Sequence, residues 1–194
     1  KGDGSLWGAG DNRNGQLGGG RGKSENLNFE LIISSDVKEV SASYASVILK
    51  KDGSVWGTGY NSQGALGDTT NEDKYTFVEV LPSNGVKAKA VATCAHYTMV
   101  VKEDGSLWAT GNNNYYQLGD KTKTNRKVFV KVVHSGVKDV SAGQDHSELL
   151  NDKNELCVTG YNGYGQLGTG NTANVIGFKC RPRPGPSTQA PAPT

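Results

Sequence analysis

Methionine, histidine and cysteine are scarce in this 194-residue chain, with one Met, three His and three Cys. Each scarcity narrows the possibilities. Three histidines with no His-x-x-x-His spacing leave no metal-ligand pattern, so no metal site is expected. Cys94, Cys157 and Cys180 are too few and too unevenly spaced for a disulfide framework. One disulfide with one free thiol, or three reduced buried thiols, both remain open. Hydrophobic residues make up 35% of the chain and the mean hydropathy is −0.55, so no stretch is expected to insert in a membrane. Excess charge is missing too. The 21 basic and 19 acidic residues are spread along the chain and give no clustered Lys/Arg footprint for nucleic acid. The first residue is Lys1 rather than Met, which points to a processed or trimmed product.

Glycine, by contrast, is abundant at 27 residues, which suits turns and strands better than helices. Much of it falls in an internal repeat. Ser5-Leu6-Trp7-Gly8-Ala9-Gly10 aligns with Ser54-Val55-Trp56-Gly57-Thr58-Gly59, with Ser106-Leu107-Trp108-Ala109-Thr110-Gly111 and with Glu155-Leu156-Cys157-Val158-Thr159-Gly160. The third position steps by 49, 52 and 49 residues. Each segment runs into one loop pattern, 12–18, 61–67, 113–119 and 162–168, in which Asn, Leu and Gly hold every time. Gln16, Gln117 and Gln166 also recur, with Ala65 as the exception.

Further strands follow each loop. A Phe strand is read at 29–32, 77–80 and 129–132, with 175–178 as its fourth copy. A Val-Ser-Ala type strand is read at 37–42, 86–92 and 137–142, and an aliphatic strand at 47–49, 99–101 and 148–150. Asp52-Gly53 and Asp104-Gly105 supply hairpin turns, and Lys153-Asn154 takes their place in the last unit. No twelve-residue window has helical apolar spacing. The fold class is therefore all-β, built of four-stranded antiparallel sheets arranged as propeller blades. Grouped by strands, the units span 1–34, 35–83, 84–135 and 136–180, with the first and last expected to be incomplete.

Physical roles follow for the recurrent residues. Trp7, Trp56 and Trp108, with Cys157 in the fourth copy, are expected between adjacent sheets, where truncating a Trp would cost roughly 3–5 kcal/mol. Gly18, Gly67, Gly119 and Gly168 let backbone approach backbone. Leu17, Leu66, Leu118 and Leu167 are expected to plug the neighbouring unit. Asn12, Asn61, Asn113 and Asn162 are expected, with the glutamines, to satisfy backbone groups that the turn leaves open.

Trp56-Gly57-Thr58-Gly59-Tyr60-Asn61-Ser62-Gln63-Gly64-Ala65-Leu66-Gly67 and its three relatives resemble the regulator of chromosome condensation repeat. Val140-Ser141-Ala142-Gly143 and His146-Ser147 match a second part of that family's pattern, and eleven residues before the Trp position the other units carry Ala45 and Tyr97 instead of His. The resemblance covers residues 1 to about 178 and implies propeller blades. Family members with seven units close a ring, and this chain has four copies of the Trp and Phe strands but three of the Val-Ser-Ala pair. A longer array, or a subunit whose sheet edges are completed by another chain, is therefore expected.

Residues 181–194 carry five of the six prolines and read as an extended linker or tail. Its Ser187, Thr188 and Thr194 also suggest O-glycosylation and hence an extracellular protein; cytoplasmic or nuclear placement is the alternative. No catalytic residue and no cofactor is assigned. Gly168-x-Gly170-x-x-Ala173 precedes a strand rather than a helix, which removes the dinucleotide-binding mechanism. Tyr60, Tyr115, Tyr116, Tyr161 and Tyr164 cluster in or beside the unit loops and form a possible contact surface. The expected function is a non-enzymatic structural or interaction module, a segment of an extracellular assembly with a protein partner or self-assembly through sheet edges. The family resemblance also implies a guanine-nucleotide exchange factor for a small GTPase. A secreted inhibitor of the β-lactamase inhibitor type is a third reading.

Overall fold

The computed structural model describes residues 2–21 and 24–181, and among them every regular element is a strand. β1 (Leu6–Asp11) and β2 (Glu25–Ile33) form a two-stranded first sheet. β3 (Val37–Ala42), β4 (Ala45–Lys50), β5 (Val55–Gly59) and β6 (Lys74–Leu81) form the second. β7 (Ala88–Thr93), β8 (Tyr97–Lys102), β9 (Leu107–Gly111) and β10 (Arg126–Val133) form the third. β11 (Val137–Ala142), β12 (His146–Asn151), β13 (Leu156–Gly160) and β14 (Val175–Arg181) form the fourth. Neighbouring strands pair in sequence order and antiparallel throughout, the local connectivity that short hairpin turns enforce. The hairpins between the third-to-last and second-to-last strands turn on Gly53, Gly105 and Asn154, all at positive φ.

Two expectations are corrected. The fourth sheet is complete, because its Val-Ser-Ala and aliphatic strands precede the Trp-type strand within the chain; only the first sheet is short of that pair. The last Phe strand is also misaligned by three residues in the sequence reading. Trp56 pairs with Glu79, Trp108 with Lys131 and Cys157 with Cys180, so the counterpart of Phe77 and Phe129 is Phe178, not Val175.

Strand alternation sends one face of each sheet forward and the other back. Forward residues Val47, Leu49, Val55, Leu66 and Val80 of the second sheet meet Val91, Val100 and Phe129 of the third, with Trp108 packed against them. The third sheet repeats this with Met99, Val101, Leu107 and Leu118 against Val137, Leu149, Cys157 and Phe178 of the fourth. At the front of the fourth sheet only Val158, Leu167 and Val175 cluster.

The loop corners bind consecutive sheets. Each loop Asn accepts the N–H of its Leu through Oδ1, at 3.0 Å for Asn12–Leu17, 2.9 Å for Asn61–Leu66, 3.0 Å for Asn113–Leu118 and 2.9 Å for Asn162–Leu167. Gln16, Gln117 and Gln166 accept a loop N–H in the same way. A Cβ built at Gly67 would stand 2.7 Å from the Phe129 ring, and one at Gly119 2.4 Å from Phe178. The glycine is thus the seat on which the next sheet's Phe rests. Thr58, Thr110 and Thr159 reach back with their hydroxyls to the carbonyls of Gly15, Gly64 and Tyr116 in the preceding loop.

The tryptophans take their expected place only in part: Trp108 packs against the cluster between the second and third sheets, but neither interior ring is sealed there. Trp56 and Trp108 are only half-buried, and Trp7 is 38% exposed because no sheet stands behind it. Lys50 Nζ sits 3.8 Å above the Trp56 ring and Lys102 Nζ 5.2 Å from that of Trp108, so these rings are sandwiched at a rim rather than sealed in a core. Phe129 and the loop leucines do the sealing. In the fourth sheet Cys157 forms a disulfide with Cys180, while Cys94 is free and buried.

Candidate functional site

Among the described residues, no group of three His, Cys, Asp or Glu side chains could hold a metal ion. Two groups with raised pKa values, Cys94 and Tyr97, are sealed rather than poised. Burial pushes the Cys94 thiol and the Tyr97 hydroxyl up, and Tyr97 spends its hydroxyl on Ser147 and the His146 carbonyl. His146 lies against Gly143, and His96 edges onto Tyr60 with ring centroids 5.7 Å apart. An open hollow of about 780 Å³ runs past Tyr44, Tyr60, Cys94, His96 and Gln144. Its lining offers neither an activated nucleophile nor a paired acid and base.

The loop tyrosines behave differently. Of the five expected contact residues, three come together: Tyr115 and Tyr161 lie 5.0 Å apart by ring centroids, and Tyr161 and Tyr164 lie 5.9 Å apart. Two separate loops supply them. Tyr115 belongs to the third loop, and Tyr161 and Tyr164 flank Asn162 in the fourth. Tyr115 is 39% exposed and Tyr164 87% exposed, so the group presents aromatic area to solvent rather than filling a core. Tyr60 stands apart with His96, and its hydroxyl meets that of Ser62.

Tyr116 carries a feature that sequence reasoning missed. It occupies the loop position held by Gly15, Gly64 and Gly165, and like them it has positive φ, here 69°. For a bulky side chain this backbone is strained by roughly 1–2 kcal/mol. Lys123 Nζ lies 5.2 Å from its ring. The signal is present in the sequence: aligned on their Asn and Leu, the four loops carry Gly15, Gly64, Tyr116 and Gly165 at this position. Tyr115, Tyr116, Tyr161 and Tyr164 therefore bring four tyrosines to adjacent corners of the third and fourth sheets, one of them at a conformational cost. Ser187, Thr188 and Thr194 lie outside the described residues.

Acidic corners hold these loops in place. Asp68 accepts from Asn61 and pairs with Lys74 at 3.0 Å; Asp120 accepts from Asn113 and pairs with Arg126 at 2.6 Å. Burial by itself raises both carboxyls, but the basic partner and the Thr and Asn donors more than offset it, and both are held below the usual carboxylate range. The fourth corner replaces the acid with Thr169, which accepts from Asn162 at 2.9 Å.

Comparison with known proteins agrees with this architecture. The profile of the regulator of chromosome condensation (RCC1) repeat matches residues 104–150. That span runs through β9, β10, β11 and β12, so one sequence repeat supplies the outer pair of one sheet and the inner pair of the next. Human X-linked retinitis pigmentosa GTPase regulator is 34% identical over 93 residues, covering 46% of this chain and 9% of that protein. The mouse secretion-regulating guanine nucleotide exchange factor is 37% identical over 97 residues, covering 46% of this chain and 20% of that protein. The crystal structure of human WBSCR16 superposes with a TM-score of 0.80 at 24% identity, over 93% of this chain and 48% of that one. Yeast RCC1 (Prp20), solved bound to Kap60, gives a TM-score of 0.78 at 18% identity, over 90% and 44%. The two structural likenesses show the fold. The chain spans between 9% and 20% of the two curated relatives and under half of the two structures.

Proposed function

We propose that this chain, whose residues 104–150 match the regulator of chromosome condensation repeat, is a non-enzymatic protein-interaction module that grips its partner with the tyrosine corners of the third and fourth sheets. One observation carries the reading: Tyr116 stands at positive φ where its three counterparts are glycine. Strained backbone clusters at binding and switch sites, where the surrounding structure holds it in place. The adjoining Tyr115, Tyr161 and Tyr164 supply rigid, amphipathic contact area at low entropic cost.

The test separates binding from stability. Tyr116→Gly removes strain and is expected to raise stability by about 1 kcal/mol while weakening partner capture. Tyr164→Ala, at an exposed position, is expected to leave the melting temperature unchanged and also weaken capture. A partner captured equally by the unaltered chain and by both variants would remove the proposal.

A regulator of a small GTPase is the second reading, favoured by the mouse exchange factor and the human GTPase regulator among the relatives. Accelerated release of labelled nucleotide from Ran would support it, and an unchanged rate would not. The relatives lend the extracellular placement no support, and a cytoplasmic or nuclear site of action fits them better. Self-assembly through sheet edges belongs to the same proposal: β1 has a strand on one side only among the described residues. A monomer of 20.5 kDa by light scattering would exclude it.

A further inference from the structure

The fourth sheet changes three residues together at one place. Where the second sheet puts Lys50 over Trp56, with Glu79 beside it, and the third puts Lys102 over Trp108, with Lys131 beside it, the fourth puts Asn151, Cys157 and Cys180. The ring-and-ammonium stack is replaced by a disulfide faced by an amide.

The two sulfurs live in different surroundings. Cys157 is fully buried, whereas Cys180 is exposed near the end of β14. The space vacated by the indole is a hollow of about 500 Å³ that reaches both cysteines past His134, Asn151, Asp152 and Lys153. Asn151 is held in one orientation. Its Oδ1 accepts the N–H groups of Lys153 at 3.0 Å and Glu155 at 2.9 Å, so its Nδ2 is turned to the sulfurs, 3.8 Å from Cys157 Sγ and 3.9 Å from Cys180 Sγ. Glu155 Oε2 accepts from the same Nδ2 at 2.8 Å.

We propose that Cys180 is a thiol-exchange site at which a low-molecular-weight thiol opens the Cys157–Cys180 disulfide, with Asn151 as the positioning residue that receives the departing sulfur. The incoming thiolate attacks the accessible Cys180 sulfur, forming a mixed disulfide there as the Cys157–Cys180 bond breaks. The bonding electron pair leaves on Cys157 sulfur, which is stranded in an apolar cluster where an anion is poorly tolerated. The Asn151 N–H offsets that cost until the sulfur takes a proton from water. A second molecule of the thiol then releases Cys180 and leaves as its own disulfide, so two thiols are oxidised for one protein disulfide reduced. Opening unstaples the last residues of β14 from β13.

Glutathione titrated onto the folded full chain, followed by peptide mass spectrometry, tests this. The expected product is an adduct on Cys180, with Cys157 free and the buried Cys94 unmodified. Asn151→Ala should slow opening about tenfold, the size of a lost hydrogen bond to a charged group. Cys180→Ser treated with oxidised glutathione, which exchanges with an accessible thiol, should take up no glutathione on the buried Cys157 while folded. Adduct on Cys157, opening only at the rate of global unfolding in urea, or an unchanged rate in Asn151→Ala would overturn the proposal.

Discussion

The two ends of the stack are built from the same repeat and present opposite chemistry. At the rear of the first sheet Trp7, Leu27, Phe29 and Leu31 all face outward, with Leu27 87% and Phe29 74% exposed. At the front of the fourth sheet the positions that are Val47 and Met99 in earlier sheets become Glu148, those of Val78 and Val130 become Lys179, and those of Val80 and Val132 become Arg181. Arg181 folds over the last corner and donates to the Gly168 carbonyl at 2.8 Å and the Thr169 carbonyl at 3.1 Å. In stacked repeats each unit buries its faces only against its neighbours, so an end either finds a neighbour or must be polar. The front end gains charge at these positions, although Leu156 there is 40% exposed. The rear end keeps the residues of an interior face.

The sharpest way to break this comparison is to truncate the same residue inside and at the end. Phe129→Ala removes a 9% exposed ring from the interface between the second and third sheets and should cost roughly 3–5 kcal/mol; Phe29→Ala, at the rear end, should stay within about 0.5 kcal/mol in urea melts. Equal losses would mean that the rear face is covered in solution. The corner glycines give a smaller contrast. Gly67→Ala meets the Phe129 ring at 2.7 Å on a positive-φ backbone and should cost about 2–4 kcal/mol, whereas Gly168→Ala has the same kind of backbone but open space and should cost about 1 kcal/mol.

Acid sharpens the comparison at its smallest scale. The corner acids Asp68 and Asp120 have depressed carboxyls in the fold, so their contribution is present above the ordinary carboxylate value near pH 4 and is lost as pH falls through the lower folded value. Thr169 in the last corner does not titrate. Hydrogen exchange during acidification should therefore loosen the corners at 61–74 and 113–126 before the one at 162–175. Asp120→Asn should remove that acid sensitivity at its own corner and cost about 1 kcal/mol at neutral pH.

Legibility in the sequence followed the reach of each signal. The Trp-Gly-Thr-Gly strand, the Asn-to-Gly loop and the Asp-Gly hairpin are local patterns, and the sheets they predict are present. The register of the last strand was legible but misread: Phe178 follows Cys157 at the spacing that separates Phe77 from Trp56 and Phe129 from Trp108, and the Val175–Phe178 stretch drew the reading away from it. The exposed tyrosine cluster was half legible: loop aromatics could be named, but which of them share a surface depends on how two loops meet.

The sequence by itself determined an all-β repeat, its strand order and the corner residues, because strand alternation and turn chemistry act over a few neighbouring positions. Only the tertiary structure decided that Phe129 and the loop leucines, rather than the tryptophans, seal the interfaces, that Cys157 pairs with Cys180, and that three of the five tyrosines converge. Those outcomes depend on which faces are pressed together, and burial is set by the neighbour across the interface.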